Sequence, residues 1–259
     1  VTHMGYAREG EVFKHAGSVP DVLEKILPTM PEGQAPGDPQ IMQDLVEYLA
    51  KYDAEIARGD VITTPHWDVK RSYVRDIVMK FRDPRSVVYF AQSAASGFDH
   101  RNLNSAAAKD IIEQKIEGIR STTGVLPLFI DEVAESQYSV AQGQFNINGT
   151  NYSTSLLWHT RFFVGIWSGL GDQRDISALE VGGGFGGLAR LMLRTGKVKK
   201  YVIVDLPESI VSSYCFLSLN FPELNIQIAA TASEVKEKID ADVLLVPSEF
   251  LDELSGREF

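Results

Sequence analysis

The sequence predicts an α/β protein in which a mostly helical cap over residues 1–170 precedes a Rossmann-like parallel sheet covered by helices over residues 171–259. Two observations lead to this fold class. In the second part, short and continuously apolar segments alternate with helix-like segments. This pattern is typical of parallel strands that are buried on both faces. In the first part, apolar residues recur at helical spacing.

The helix start signals in the cap are two Asp-Pro pairs. Asp38 and Pro39 open a helix whose apolar stripe continues until Gly59 ends it, and Asp83 and Pro84 open another. A further stripe, which we interpret as buried core, consists of Ala108, Ile111, Ile112, Ile116 and Ile119. The cap is therefore expected to be built mainly of helices.

One exception to the helical pattern is a short hairpin near residues 144–153. Apolar and polar residues alternate there around Asn148-Gly149, the strongest short-range signal for a two-residue hairpin turn. Ser153 comes directly afterwards and is expected to cap the next helix. The Pro- and Gly-rich stretch 31–39 is expected to be a loop before the first long helix.

The second part contains three clear strand signals. We expect strands in SALEVGG, KKYVIVDLP and ADVLLVP, and helices in GGLARLMLRTG and ESIVSSYCFLSLNFP. The segment LNIQIAAT fits either a further strand or an irregular lead-in.

The composition excludes several classes of function. With 25 basic and 35 acidic residues the formal net charge is −10, which argues against a broad grip on nucleic-acid phosphates. The sequence has neither a run of about 18 apolar residues, which would predict a membrane span, nor the layout of a secretory signal. Cys215 is the only cysteine, and we expect a buried helix residue in a cytoplasmic protein.

Residues 182–187 form a loop with five glycines in six positions between a strand and a helix. Gly182, Gly184 and Gly187 satisfy the G-x-G-x-x-G spacing of dinucleotide-binding loops. Asp205 lies 23 residues after Gly182, close to the spacing of an acid that binds ribose hydroxyls. These features are typical of an NAD(P)- or FAD-binding oxidoreductase.

The same loop also satisfies E-x-G-x-G-x-G, with Glu180 two residues before Gly182. A carboxylate there is unfavourable beside a pyrophosphate, which is negatively charged and prefers N–H groups at helix N-termini. It is favourable beside S-adenosylmethionine, which carries a sulfonium and an ammonium but no phosphate. Bare glycine main chain lets such a ligand lie on the strand ends while Asp205 binds its ribose. Glu180 either contacts this ligand or orients the loop from below.

The segments LEVGGGFGGLARLML and YVIVDLPESIVSSYCFLSLNFP resemble the sugar O-methyltransferases, a branch of the class I S-adenosylmethionine-dependent methyltransferases. The resemblance covers residues 177–222 and is weaker around NINGTNYSTSLLWHTRFF. It implies methyl transfer to a small molecule, at a sugar hydroxyl of a saccharide or a glycosylated natural product. The cofactor contacts that it implies come from Glu180, Gly182, Gly183, Gly184, Asp205 and Leu206.

The number of strands departs from that family. Class I sheets have about seven strands, whereas the residues after 175 supply three clear ones. A three-stranded sheet with an open edge invites aggregation. We therefore expect the polypeptide to be a truncated one, in which the sheet is interrupted after its third strand.

Methyl transfer to a hydroxyl needs a group that removes its proton. His159 is the candidate base, because its segment belongs to the upstream part of the resemblance, and His66 and His100 are less favoured. For each histidine the alternative is a structural role. Tyr152 and Ser153 are expected to line the pocket from the cap side, with turn and helix-cap roles as the alternative.

Asp131, Glu132 and Glu135 offer carboxylates for a divalent ion. Neighbouring helix acids more often form a solvent-exposed face, so no metal site is expected. The expected partners are a small sugar-type substrate and, through the helical cap, a second copy of the chain. A cofactor-free interaction module that dimerises through the cap is a further alternative.

Overall fold

A computed structural model describes residues 38–59, 61, 65–95, 135–139, 144–147 and 149–256 of the chain, with a few single positions between 110 and 121. The architecture is α/β, with a parallel sheet of four strands that is consistent with a Rossmann-like fold. Helices from both parts of the chain share one apolar core with this sheet. The stripe predicted from Ala108 to Ile119 and most of the predicted loop 31–39 lie outside the described residues.

Four helices of the cap are described: α1 (Asp38–Arg58), α2 (Pro65–Phe81), α3 (Pro84–Ala95) and α4 (Thr154–Leu170). The predicted end of α1 is confirmed, because Gly59 follows it with a φ of +79°. The second Asp-Pro start is confirmed as well, since the Asp83 carboxylate accepts the Arg85 N–H at 2.9 Å. Among the helices described, none combines the length and the apolar character that crossing a bilayer requires.

The predicted hairpin is confirmed. Strands β1 (Gln144–Ile147) and β2 (Thr150–Ser153) pair antiparallel, with Ile147 opposite Thr150. Gly149 has a φ of +86°, the left-handed conformation that this type of turn needs. Ser153 caps α4 as predicted, since its hydroxyl accepts the Leu156 N–H at 2.9 Å.

Strands and helices alternate through the second part. The strands are β3 (Ile176–Val181), β4 (Val198–Asp205), β5 (Ile226–Ile228) and β6 (Val243–Pro247). The helices are α5 (Gly187–Arg194), α6 (Pro207–Asn220) and α7 (Ala232–Glu237), and a 3₁₀ helix covers Ser248–Leu254. Cys215 is fully buried on α6, as the sequence predicts.

The four strands of this second part are all parallel and lie in the order β3-β4-β6-β5. The expected number of three strands is therefore wrong, whereas the predicted strand ADVLLVP is β6, the last strand along the described chain. The segment LNIQIAAT supplies β5, an edge strand in which the polar Gln227 interrupts two buried isoleucines and so weakens the sequence signal. In the usual doubly wound sheet the fourth strand lies beside the first, whereas β6 lies here between β4 and β5.

This order leaves β3 at an edge of the described sheet. The prediction of a strand buried on both faces is wrong for β3, since Leu179 is 44% exposed and Val181 is 70% exposed. The prediction holds for the two inner strands, where Ile203 on β4 and Leu244 on β6 are fully buried. An apolar run has the same composition at an edge as in the centre, so the sequence does not distinguish the two positions.

Helix α1 lies over the carboxyl ends of β4 and β6. Tyr48 and Tyr52 stack with their ring centroids 5.8 Å apart. The Tyr48 hydroxyl donates to the Pro207 carbonyl at 3.4 Å, and the Tyr52 hydroxyl donates to Oε1 of Glu249 at 2.7 Å. Because Pro207 and Glu249 come just after these two strands, the tyrosines place the cap over the carboxyl ends of the strands, where parallel sheets bind ligands.

An ionic contact ties α1 to α7, the helix that follows β5. Lys51 Nζ lies 2.5 Å from Glu234 on α7, which also accepts hydrogen bonds from Lys238 and from the Ala230 N–H, each at 2.9 Å. Burial raises the pKa of Glu234, but these hydrogen bonds outweigh it and lower the pKa to about 2. The carboxylate is therefore ionised in the folded chain at any pH near neutrality.

Replacing Glu234 by Gln is expected to lower the free energy of unfolding at neutral pH by about 1–3 kcal/mol, because hydrogen bonds to a charged group are lost. The folded pKa of about 2 lies below the ordinary value of 4.5, so the contribution of the carboxylate is complete above pH 4.5 and disappears as the pH falls toward 2. Urea unfolding of wild type and E234Q should show a difference that is constant above about pH 5 and shrinks as the pH falls from about 4.5 toward 2.

Glu253→Gln is the control for this variant. Glu253 also pairs with a lysine, Lys236 at 2.7 Å, but that lysine is largely exposed. Its loss should change the free energy of unfolding by less than about 0.5 kcal/mol. A difference between wild type and E234Q that stays constant with pH would contradict the lowered pKa of Glu234.

Candidate functional site

The glycine loop joins β3 to α5 at the carboxyl edge of the sheet. The Gly182 N–H donates to the Val204 carbonyl at 2.8 Å, so the chain leaves the sheet only after Gly182. Gly182 and Gly184 have φ values of +81° and +59°, and no described atom lies within 4 Å of the place where a Cβ on either would be. The loop thus presents bare main chain to open space at the end of the strand.

The underside of the loop is closely packed. A Cβ on Gly183 would lie 2.6 Å from Cγ2 of Ile203 and 3.4 Å from the Glu180 carboxylate, so glycine is required there for space. The Ser213 hydroxyl on α6 donates to the Gly184 carbonyl at 2.6 Å. The conformation of the loop is therefore set by the surrounding fold.

Asp205 bridges the ends of the first two strands of the sheet. Its Oδ2 accepts the Gly184 N–H at 2.6 Å, and its Oδ1 accepts the Leu206 N–H at 2.7 Å. Hydrogen bonds to an ionised carboxylate are stronger than hydrogen bonds between neutral groups. The structure therefore brings together the predicted acid, Leu206 and the predicted glycines of the loop.

Glu180 lies on the side of the loop that faces the sheet. The Tyr201 hydroxyl donates to its Oε2 at 2.9 Å. Burial raises the pKa of Glu180, the hydrogen bond from Tyr201 lowers it, and the negative charge of Asp205 raises it; the net shift is upward. Burial also raises the pKa of Tyr201, so the phenol stays protonated as the donor. These contacts agree with the interpretation in which Glu180 orients the loop.

Negative charge predominates among the described residues at the ends of β4 and β6. Glu208 is buried in the first turn of α6, and Glu249 lies in the first turn of the 3₁₀ helix after β6. Burial is the largest cause that raises the pKa of Tyr52, and the hydrogen bond to Glu249 is the next. The negative charges of Glu249 and Glu208 raise this pKa further, while Arg71 lowers it. Together with Asp205 they make this edge of the sheet acidic.

His159 lies beside the start of α5. Its Nδ1–H donates to the Ser155 carbonyl at 2.8 Å, which leaves the lone pair of the neutral ring on Nε2. The ring packs edge-on against Phe185 at 5.4 Å, and Phe185 packs against Phe216 at 5.2 Å. A Cβ on Gly187 would lie 2.6 Å from the ring. Burial lowers the pKa of His159, so the imidazole is neutral at neutral pH.

The two residues predicted to line the pocket from the cap lie at the hairpin. Tyr152 is buried in the core. Besides capping α4, Ser153 donates a hydrogen bond to Glu135, which also accepts from the Ser139 hydroxyl at 2.7 Å. The expectation that Glu135 belongs to a solvent-exposed face is wrong, because its N–H donates to Asn151 of the hairpin at 3.1 Å and its carboxylate is half-buried there.

The other candidates are not placed by the structure. His66 lies on α2, but its side chain is outside the described part of the chain. His100, Asp131 and Glu132 lie outside the described residues altogether.

Sequence reasoning missed two residues that shape the loop, Tyr201 and Ser213. Glu180 pairs with Ile203 across the parallel strands, and Tyr201 is two residues earlier on β4, so it shares that face. The alternation would have identified Tyr201 once the register was known. No comparable signal marks Ser213, whose place on α6 depends on how the helix packs.

The chain matches no protein-family model, no curated protein and no solved structure. Its function therefore has to be inferred from the chemistry of the glycine loop and its flanking acids, together with the sequence resemblance.

Proposed function

We propose that the chain binds S-adenosylmethionine at the glycine loop and acts as an O-methyltransferase on a small molecule. The observation that carries this proposal is the hydrogen bond from the Gly184 N–H to the Asp205 carboxylate. In a dinucleotide-binding loop the free N–H groups bind the pyrophosphate. Here the Asp205 carboxylate already accepts one of these N–H groups, that of Gly184. The main chain at Gly182 and Gly184 still faces open space.

Charge favours the same ligand. Glu180 and Asp205 flank the loop closely enough for Asp205 to raise the pKa of Glu180. A pyrophosphate would add negative charge next to both carboxylates, whereas a sulfonium and an ammonium would compensate them. This electrostatic environment supports a methyl donor over the NAD(P) or FAD of an oxidoreductase.

The described residues suggest how such a ligand is held. Asp205 is the proposed acceptor for the ribose hydroxyls, and the main chain at Gly182, Gly183 and Gly184 is the proposed floor of the site. Glu180 acts through the loop that it supports, and Leu206 adjoins Asp205. When bound, S-adenosylmethionine supplies a methyl group activated by the positive charge on its sulfur.

The acceptor that we propose is a sugar hydroxyl, on the strength of the sequence resemblance. A hydroxyl has to lose its proton when it is methylated, and His159 is the proposed base because its imidazole is neutral and has its lone pair on Nε2. Its packing against Phe185 and Gly187 fits the alternative of a structural histidine. Tyr152 and Ser153 are the residues proposed to face the acceptor from the hairpin, but the burial of Tyr152 and the hydrogen bonds of Ser153 fit the alternative of turn and helix-cap roles.

Isothermal titration tests the donor site directly. We expect saturable binding of S-adenosylhomocysteine and none of NAD or FAD. Adenosine and ADP form a matched pair that isolates the phosphate, and ADP should bind more weakly because its charge meets two carboxylates. Tighter binding of ADP, or binding of NAD alone, would restore the oxidoreductase. A stable dimer in light scattering with no ligand response would instead favour the interaction module.

A further inference from the structure

A pocket separate from the glycine loop lies between α1, α6 and the carboxyl end of β5. The pocket has a volume of about 170 Å³. At the ~30 Å³ that a molecule occupies in liquid water, it has room for roughly five or six waters or one small polar ligand. Its polar lining includes Asp44, Glu47, Lys51, Tyr214, Glu234 and Lys238.

Two lysines supply the donors of this pocket. Lys51 Nζ lies 2.7 Å from Glu47 and 2.5 Å from Glu234. Lys238 Nζ lies 2.9 Å from Glu234 and donates to the Ile228 carbonyl at 2.8 Å. An ammonium has three N–H donors, and within the described part of the chain each lysine uses two. One N–H of each lysine therefore remains for a ligand.

The acceptors lie beside these donors. Asp44 accepts a hydrogen bond from the Tyr214 hydroxyl, whose pKa is raised first by burial and then by Asp44 itself. Its other oxygen accepts from Gln40 at 2.7 Å, and a carboxylate offers about four acceptor positions. Glu47 is exposed at the rim of the pocket. A ligand thus meets both donors and acceptors within one small space.

This mixture of charges selects the chemistry of the ligand. Three carboxylates against two ammonium groups disfavour an anion. A cation would have to compete with Lys51 and Lys238, which are already paired with two of these carboxylates, and the polar lining disfavours an apolar molecule. A neutral hydroxyl can accept from a lysine and donate to a carboxylate at the same time. A compound with several hydroxyl groups on one rigid ring therefore fits the pocket best.

The pocket and the glycine loop lie along the same edge of the sheet. Ile228 ends β5 and lines the pocket, and β5 is two strands away from β4. At about 4.8 Å between neighbouring strands, β5 lies roughly 10 Å from β4, the strand that ends at Asp205. Tyr48 connects the two places, because it lines the pocket and its hydroxyl donates to the Pro207 carbonyl, close to Leu206.

We propose that this pocket binds a neutral polyhydroxyl group, such as one sugar ring, and that it is a recognition subsite for the methyl acceptor. The first half of the proposal rests on the pocket alone, and the second half rests on the proposed function. Because two strand spacings separate β5 beside the pocket from β4, which carries Asp205, the ring in the pocket is proposed to be recognised rather than methylated. The acceptor then carries its reacting hydroxyl on another part of the molecule.

The first experiment titrates the whole chain with methyl glycosides of the common hexoses and 6-deoxyhexoses, followed by ligand-observed NMR. We expect at least one glycoside to bind saturably, with a dissociation constant on the order of 1 mM, as befits a small ligand with few contacts. Inorganic phosphate and methylammonium serve as the charged probes. Neither should displace the glycoside.

Two lysines of the same region form a matched pair of variants. Lys238→Gln removes a donor of the pocket, and Lys236→Gln removes a lysine that pairs with Glu253 away from it. We expect K238Q to weaken glycoside binding at least about tenfold and K236Q to leave it unchanged. Tyr214→Phe is the second test of the pocket and should weaken binding about three- to tenfold, with folding checked by circular dichroism.

The outcomes separate this pocket from the donor site. Absence of glycoside binding, an equal effect of the two lysine variants, or displacement of the glycoside by phosphate would overturn the subsite. If S-adenosylhomocysteine binds and no glycoside does, the subsite fails and the donor site stands. If a glycoside binds and S-adenosylhomocysteine does not, the pocket stands as a saccharide site and the methyl donor fails.

Discussion

The Asp205→Asn variant is expected to bind S-adenosylhomocysteine about ten- to a hundredfold more weakly than the wild-type chain. Hydrogen bonds to a charged group contribute about 1.5–3 kcal/mol, and 1.4 kcal/mol corresponds to a factor of ten. Asp205 accepts from Gly184 and Leu206 with different oxygens, and an asparagine offers only one oxygen. The variant therefore lacks the negative charge that would strengthen hydrogen bonds from the ribose hydroxyls. It also loses one of the two hydrogen bonds with the main chain. Isothermal titration measures the affinity.

Asp242→Asn is the matched control, because it makes the same substitution away from the glycine loop. Asp242 also accepts a main-chain N–H, from Asn225 at 2.8 Å, but it lies at the amino end of β6, on the opposite edge of the sheet. The same chemical change there should lower the stability slightly and leave the affinity for S-adenosylhomocysteine unchanged. An unchanged affinity of D205N, or an equal loss in both variants, would remove Asp205 from the proposed site.

The approach of Asp205 to the glycine loop could be predicted because it depends on local order alone. Parallel strands that pair in sequence end at the same edge of the sheet, so an acid at the end of the second strand comes close to the loop after the first. The structure confirms this contact at 2.6 Å between the Gly184 nitrogen and Asp205. The cap of α4 by Ser153 was predictable for the same reason, since both partners lie within one turn.

The features that escaped prediction depend on tertiary packing. The contact of Tyr52 with Glu249 joins residues that are 197 positions apart, and nothing in either segment indicates its partner. The edge position of β3 follows from where β6 inserts, which the apolar run of β3 does not encode. The burial of Glu135 has the same origin, because the hairpin supplies its hydroxyl partner from outside its own segment.

The glycines of the loop are required for two different physical reasons, which a motif does not separate. Gly183 and Gly187 are needed for space, because a Cβ on either would lie 2.6 Å from Ile203 or from the His159 ring. Gly182 and Gly184 are needed for their positive φ, and described atoms leave the space beside them open. Only the second pair offers a surface on which a ligand can lie, so the two pairs respond differently to substitution.

Gly182→Ala is expected to reduce the affinity for S-adenosylhomocysteine by up to about a hundredfold, in addition to a modest loss of stability. A φ of +81° disfavours any residue with a Cβ by about 1–2 kcal/mol, which sets the loss of stability. The new methyl group then points into the open space where we propose that the ligand lies, and overlap of this kind costs about 1–3 kcal/mol. Urea unfolding and isothermal titration measure the two effects separately.

Gly149→Ala is the matched control, because Gly149 has a φ of +86° and its Cβ position is equally open, but it lies in the turn of the hairpin. It should show a similar loss of stability with no loss of affinity. If the two variants bind S-adenosylhomocysteine equally well, the space beside Gly182 is not where the ligand lies. If both lose affinity to the same extent, the effect comes from backbone strain, since the added methyl groups lie in different parts of the molecule.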